Sequence, residues 1–285
     1  MKRLFGILLA ATLMVACSDE ENINASLDID AADLAATSEA LFDDIDNNTD
    51  AALDYGVKGN GRILGRGLFG FDCAEVTKDE DAGTIVIDFG DGCEGKKGRV
   101  KKGKILISYS GERLVPGSFK IVTFENFFVD SVQIEGTKTT RNISTDTESN
   151  PTYLSTIVGG KMTFADGSVA TREAEHTKIK VIDFSDTTLI ESQKYGVVSG
   201  INLNGLTYSR VIDESNPVII KKSCTEGRIF APVSGVITIK VENESEKTID
   251  FGDGTCDNLV TITQDGVSET KEVDPKRKGR KRRGK

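Results

Sequence analysis

Two acidic segments of this sequence contain residue types that could bind a cation. Both read Asp-Phe-Gly-Asp-Gly, at Asp88–Gly92 and Asp250–Gly254. Their carboxylates, with Asp257 nearby, are hard oxygen ligands of the kind that calcium prefers, but the spacing and distal glutamate of an EF-hand loop are missing. Asp also accepts hydrogen bonds from backbone amides, and Gly readily adopts positive φ. The pattern therefore predicts two tight turns and no metal site.

The chain contains one histidine that could act in catalysis, His176, which lies in the polar segment TREAEHTKIK. A nucleophilic site would need a nucleophile, a base and an orienting acid in one cleft, and the chain has no GxSxG nucleophile elbow. Paired carboxylates for glycoside hydrolysis cannot be singled out among 45 acidic residues. We predict an exposed His176 on the face of a sheet, no catalytic residue, no cofactor and no enzymatic activity.

A glycine-rich string, GNGRILGRG at Gly59–Gly67, has some features of a phosphate-binding loop. Such a loop follows a strand, opens a helix and ends in Gly-Lys-Ser or Gly-Lys-Thr. Here the string follows a predicted helix, leads into predicted strands and lacks that ending. We interpret it as a linker or an irregular sheet edge.

The elements that must position these residues are mainly strands. Apolar and polar residues alternate in several segments, which is typical of antiparallel sheets with one buried face. The apolar positions are Ile85, Ile87, Phe89, Ile105, Ile107, Tyr109, Ile237, Ile239 and Val241. Hairpin turns are predicted at Asp166-Gly167, Asn204-Gly205 and Asp265-Gly266. No helix-length apolar pattern separates these strands, so parallel βαβ units are not expected.

One amphipathic helix is predicted before the strands, over residues 31–55. Apolar residues recur near helical spacing at Leu34, Leu41 and Ile45. A break is expected near Asn47 and Asn48. The fold class is therefore all-β, an antiparallel meander that forms a sandwich or half-open barrel over residues 56–274, with one N-terminal helix packed on it.

The first residues have the features of a secretory signal. Lys2 and Arg3 precede an apolar run, Leu4–Val15, which is shorter than the roughly 20 residues of a membrane-spanning helix. The run ends in LMVAC, which resembles the lipobox of bacterial lipoproteins. That resemblance implies that residues 1–16 are removed and that Cys17 carries acyl chains, such as palmitate, which anchor the protein in a membrane.

Residues 17–30 form a predicted acidic tether. Ser18, Asp19, Glu20 and Glu21 follow the lipidated cysteine directly. This serine and acidic cluster resembles the lipoprotein export signal of Bacteroidota, which sends lipoproteins to the cell surface. The alternative is a flexible acidic tether that contains no address.

Four cysteines remain once Cys17 is lipidated, which is an even number for an oxidising compartment and indicates two disulfides. Three pairings are possible. We favour Cys73–Cys93 with Cys224–Cys256, because each pair brackets one strand-and-DFGDG unit. The rival Cys73–Cys224 and Cys93–Cys256 pairing would join the two units. We expect inert, buried bridges.

Charge is distributed unevenly along the chain. The net charge is -9, but the predicted tail at residues 275–285 contains eight Lys or Arg and no acid. Residues 18–275 contain 45 acidic and 26 basic residues. An acidic body opposes binding to nucleic acid and to anionic lipid. The basic tail is predicted to be disordered.

Residues 103–142 contain a GKI strand and a long strand that ends in VQIEGT, and residues 250–263 read DFGDGTCDNLVTIT. Together with the DFGDGC turn, they resemble a family of Bacteroidota lipoproteins over about residues 70–274. That family has no assigned function, so the resemblance transfers no functional residue. The basic tail departs from the family's pattern.

These features favour an outer-membrane, surface-exposed lipoprotein with a non-catalytic binding or structural role. Its expected partner is the outer membrane, through the lipid anchor, together with an unidentified protein or glycan, and not nucleic acid. The first alternative is a carrier that holds a lipid or acyl chain on a concave half-barrel, which an apolar cavity larger than about 300 Å³ would favour. The second is a hydrolase with two facing carboxylates.

Overall fold

The computed structural model describes residues 41–42, 44–46, 48–50, 52–53, 61–64, 73–95, 98–186, 188–226 and 232–272. The predictions for the signal peptide, Cys17, Ser18, Asp19, Glu20, Glu21 and the basic tail therefore concern residues outside the described part. Within it, neither helix has the length and apolar character needed to cross a membrane.

The described residues form sixteen β-strands in one antiparallel sheet, which confirms the all-β meander. Most strands pair with their neighbours in the sequence. Their bounds are β1 Gly61–Leu64, β2 Glu75–Asp79, β3 Thr84–Asp88, β4 Cys93–Glu94, β5 Val100–Ser110, β6 Phe119–Val129, β7 Val132–Asn142, β8 Thr152–Thr163, β9 Val169–Asp183, β10 Thr188–Ile201, β11 Thr207–Ile212, β12 Val218–Lys221, β13 Ser234–Val241, β14 Lys247–Asp253, β15 Leu259–Gln264 and β16 Val267–Glu272.

Two places depart from a simple meander. The short strand β4 pairs only with β5 among the described strands. Strands β11 and β12 act as one interrupted strand, because both pair with β10 and with β13. The glycine-rich string contributes β1, which pairs with β2, so part of the predicted linker is a regular strand.

Turn chemistry explains why consecutive strands pair. The three predicted Asx-Gly dipeptides lie between β8 and β9, between β10 and β11, and between β15 and β16. Asp265 and Gly266 both have positive φ, 52° and 75°. This conformation matches the twist of the flanking strands and closes a two-residue hairpin.

The sheet is strongly curved. Register shifts interrupt several strand pairs of the meander, and such bulges bend a sheet. Glycine permits the close backbone approach at one of them: a Cβ on Gly103 would lie 2.0 Å from the carbonyl oxygen of Asn126. One hydrophobic cluster includes residues from β2 through β13, so both ends of the meander contribute to the same core.

The helix α1 contains the described residues 41–42, 44–46, 48–50 and 52–53. Leu41 and Ile45 are buried as predicted, together with Phe42, whereas Leu34 and the predicted start of the helix lie outside the described part. The expected break is wrong at Asn48, which is helical and whose side-chain amide donates to the carbonyl oxygen of Asp44. A second helix, α2, Lys222–Glu226, was not predicted.

Two disulfides join Cys73 to Cys93 and Cys224 to Cys256, the pairing that the sequence favours. The first bridge encloses the β2–β3 hairpin, and the second encloses β13–β14. The expectation that the cysteines are buried is only half right. Cys93 and Cys224 are buried, whereas Cys73 and Cys256 are exposed because each lies in a surface turn.

Candidate ligand-binding cavity

The first DFGDG segment forms the predicted turn after β3. The prediction is wrong for the second, because Asp250–Asp253 belongs to β14, at a register shift opposite β13. Asp88 Oδ1 accepts a hydrogen bond from the Gly90 amide at 2.8 Å, and Asp250 Oδ1 accepts one from the Gly252 amide at 2.8 Å. Both glycines have positive φ. No group of three metal-ligating side chains occurs among the described residues. Asp88 and Asp250 therefore fix the local backbone, in a turn at the first segment and at an irregularity of β14 at the second.

A cavity of about 1050 Å³ lies on the concave face of the sheet. This volume is at the upper end of the range of small-molecule sites, roughly 300–1000 Å³. Its walls come from α1, from strands β2, β5–β12 and from nearby loops. The described lining residues with charged or apolar side chains include Phe42, Asp46, Asp50, Leu53, Lys78, Arg113, Lys120, Lys138, Ile157, Arg172, Ala174, His176, Lys178, Lys180, Lys194, Arg210, Ile212, Val218 and Ile220.

Strand β9 supplies the central part of the cavity wall. Side chains of a strand alternate between faces, and in β9 this alternation separates the charges. Arg172, His176 and Lys178 line the cavity. The intervening Glu173 and Glu175 are exposed and are not among the described lining residues. The acidic composition of the chain therefore coexists with a cationic concave face.

The prediction for His176 is wrong. It is 8% exposed and lines the cavity. Its partners across the sheet are Ser155 on β8 and Gly196 on β10. A Cβ on Gly196 would lie 2.1 Å from the carbonyl oxygen of Glu175, so the strands approach closely beside the histidine.

Three lysines mark the outer end of the cavity, and we call them the mouth lysines: Lys178, Lys180 and Lys194. All three line the cavity, and Lys178 is exposed. Lys178 and Lys194 are directly opposite each other in the register of β9 and β10. Like charges in this position destabilise a strand pair.

Three further lysines lie under α1, and we call them the helix-covered lysines: Lys101, Lys120 and Lys138. Each is less than one-tenth exposed. Lys120 Nζ donates to Asp50 Oδ1 at 2.6 Å and to Thr49 Oγ1 at 2.8 Å, and Lys138 Nζ donates to Asp46.

Lys101 completes this group through Asp44, whose carboxylate lies 2.7 Å from the Lys101 ammonium. Burial lowers the pKa of Lys101, and the charge of Asp44 opposes that shift. At Asp50, nearby charges together have a larger effect on the pKa than burial does. Burial alone would raise the pKa of Asp50, but Lys120, Arg113 and Lys180 outweigh it and hold the pKa below its ordinary value. Asp50 is therefore a charged partner of the sheet.

Charge in the cavity is opposite in sign to that of the whole chain. Its described lining contains nine Lys or Arg and four Asp or Glu, whereas the chain contains 36 and 45. Low-dielectric walls of one sign concentrate counter-ions of the opposite sign. The cavity is therefore suited to an anionic ligand.

Comparisons of the chain with protein-family models, with curated proteins and with solved structures found no match.

The cavity residues could not be identified from the sequence alone, in which the polar segment around His176 was interpreted as a solvent-facing strand. The signal was present, because every second residue from Arg172 to Lys180 is basic or alanine. A strand whose charge alternates with period two presents one basic face.

Proposed function

We propose that this protein is an outer-membrane, surface-exposed lipoprotein that binds an anionic ligand, without catalysis, in the cavity on its concave face. The cationic lining of a large cavity in an otherwise acidic chain supports this proposal above all. The lipobox-like end of the signal sequence and the acidic residues after Cys17 support the location.

The position of the mouth lysines supports binding rather than a structural role. Two opposed lysines cost stability in the sheet, whereas a bound anion would offset their repulsion. Lys178 is exposed, and the alkyl stem of a lysine can cover apolar surface while its ammonium group stays in water. An incoming anion therefore meets positive charge first.

The binding proposal can be tested with anilinonaphthalene sulfonate, a fluorescent organic anion, and with phenylnaphthylamine, the same ring system without the sulfonate. We expect the sulfonate to bind with salt-dependent affinity and the neutral probe to bind more weakly. Lys178→Gln with Lys194→Gln should weaken sulfonate binding about tenfold, which corresponds to two ion pairs of about 0.7 kcal/mol each.

A matched control is Lys161→Gln with Lys240→Gln. These lysines are outside the described cavity lining, and each forms an exposed ion pair, with Glu135 and with Glu246. The control removes the same net charge from the protein. Equal loss of binding in both double variants would contradict a site at the mouth, and equal affinity for both probes would contradict anion binding.

The location is tested separately from the ligand. Mass spectrometry of the mature protein should find an acylated Cys17 as its first residue, and Cys17→Ser should release the protein from the membrane. Protease added to intact cells should digest the native protein, and replacing Ser18, Asp19, Glu20 and Glu21 by alanine should protect it. Protection of the native protein would refute surface exposure.

A further inference from the structure

We propose that the ligand of the cavity is an amphiphile with one anionic head and an apolar body. The head binds at Lys178 and Lys194, and the body extends inward past Val218 towards Ile157 and Ala174. This inference rests on the proposed anion-binding function and adds the ligand's chemical class and its orientation.

The orientation follows from burial along β9. Lys178 is exposed, whereas His176 is 8% and Arg172 is 2% exposed. On β8, Ile157 pairs with Ala174, and both are buried. The cavity therefore opens at the lysine end of β9 and deepens towards the alanine end.

Apolar surface begins directly beside the mouth lysines. Val218 on β12 is opposite Lys194 on β10, and Ile220 is opposite Ser192, one step further out. The apolar residues of the described lining come from both the sheet and α1, and they include Phe42, Leu53, Ile157, Ala174, Ile212 and Val218. A purely ionic ligand such as inorganic phosphate would leave this surface in contact with water, whereas an apolar body would cover it.

The inner cations of the cavity do not require a second charge on the ligand. Lys120 and Lys138 have Asp50 and Asp46 as carboxylate partners. The Arg172 guanidinium lies 5.7 Å from the centre of the Phe42 ring. Asp50 and Asp46 therefore already balance Lys120 and Lys138 in the interior, whereas Lys178 is exposed at the mouth. One head group at the mouth is therefore the arrangement that fits.

The head is recognised by charge more than by shape. A lysine ammonium is a compact point charge, unlike the planar guanidinium that selects carboxylate or phosphate through two parallel hydrogen bonds. A carboxylate and a phosphate monoester therefore both satisfy the mouth lysines. The ligand could be a free fatty acid or a phosphorylated lipid, and the two sources are distinguished by experiment.

The test is calorimetric titration of the full chain carrying Cys17→Ser, expressed without lipid. The ligands are butyrate, hexanoate, octanoate and decanoate, which vary the chain length. Decyl phosphate and decanol keep the ten-carbon chain and vary the head group. We expect affinity to rise about fourfold for each added methylene that becomes buried. Decanol should bind at least tenfold more weakly than decanoate. The tighter of decanoate and decyl phosphate identifies the head group.

A variant pair locates the head and the first part of the body. Val218→Thr keeps the shape of the side chain but adds a hydroxyl beside the head group, so it should reduce the gain in affinity from butyrate to hexanoate. Lys194→Gln should weaken every anion by a similar factor and leave decanol unchanged. The chain-length series on the unmodified cavity remains decisive even if Val218→Thr fails to fold.

Three outcomes are distinguishable. If no anion of any length binds, the proposed function itself fails. If anions bind with an affinity that is independent of chain length, anion binding stands and the amphiphile is excluded. If decanol binds as tightly as decanoate, the cavity is an apolar site, and the assigned role of the mouth lysines is wrong.

Discussion

The helix-covered lysines and the mouth lysines lie on the same concave face, only a few strands apart, yet their surroundings differ. Lys120 and Lys138 are buried beneath α1, with Asp50 and Asp46 as partners. Lys178 lies beyond that helix, in an exposed position at the cavity mouth. This difference indicates that one acidic helix divides a basic sheet face into two parts. One part pairs with the helix and stabilises the fold, and the other is available to a ligand.

This division has an energetic cause. A buried ammonium group is costly unless a carboxylate partner and hydrogen bonds compensate it. The helix-covered lysines meet that requirement through contacts between residues 57 (101 − 44) to 92 positions apart in the sequence. The exposed Lys178 remains hydrated and needs no such partner for folding. Breaking the two arrangements should therefore have unequal effects on stability.

The largest loss of stability is expected for Asp46→Asn. Asp46 contacts both Lys138 and Lys120, and the change leaves Lys138 buried without its carboxylate partner. The free energy of unfolding should fall by about 3 kcal/mol. Denaturant titration monitored by circular dichroism measures this loss.

A second variant distinguishes charge from packing at the same position. Adding Lys138→Met to Asp46→Asn removes the buried charge and should restore most of the lost stability. If the double variant is no more stable than Asp46→Asn alone, the helix-covered lysines are not held by charge pairing, and the contrast with the mouth fails.

A smaller effect is expected from acid. The pKa of Asp50 lies below its ordinary value of 3.8, so its stabilising contribution is complete above pH 3.8 and disappears as the pH falls through the lowered value. Below that point the carboxyl is neutral, and Lys120 and Arg113 lose a charged partner. Asp50 is also partly exposed, which moderates the effect.

The variant Asp50→Asn isolates this contribution. It should be less stable than the native protein at pH 7 and should lose less stability on acidification between pH 4 and pH 2. Unfolding curves collected across that range provide the measurement. Parallel curves for the two proteins would show that Asp50 does not couple α1 to the sheet.

The smallest effect on stability is expected at the mouth. Lys178→Met with Lys194→Met should change the free energy of unfolding by no more than about 0.5 kcal/mol, and relief of the opposed charges favours a small gain. The same double variant should weaken binding of anilinonaphthalene sulfonate, as expected for the two glutamine substitutions. A loss of 2 kcal/mol or more would place these lysines with the helix-covered group.

Local patterns in the sequence were enough to predict much of the fold. Alternation at Ile85 and Ile87 determined which side chains are buried, and Asx-Gly dipeptides located three hairpins. The disulfide pairing followed from cysteines that bracket a single hairpin. These features depend on residues close in sequence, whose geometry is set by backbone sterics and by the period of a strand.

Only the tertiary structure decided the cavity. The burial of His176 and the opposition of Lys178 to Lys194 depend on strand register and on sheet curvature. The pairing of Lys138 with Asp46 depends on where α1 packs. Net charge and local polarity can be read from the sequence, but they contain no information on which strand and helix faces pack against each other. The curvature of the sheet gathered cations from many strands into one place, although the sequence as a whole is acidic.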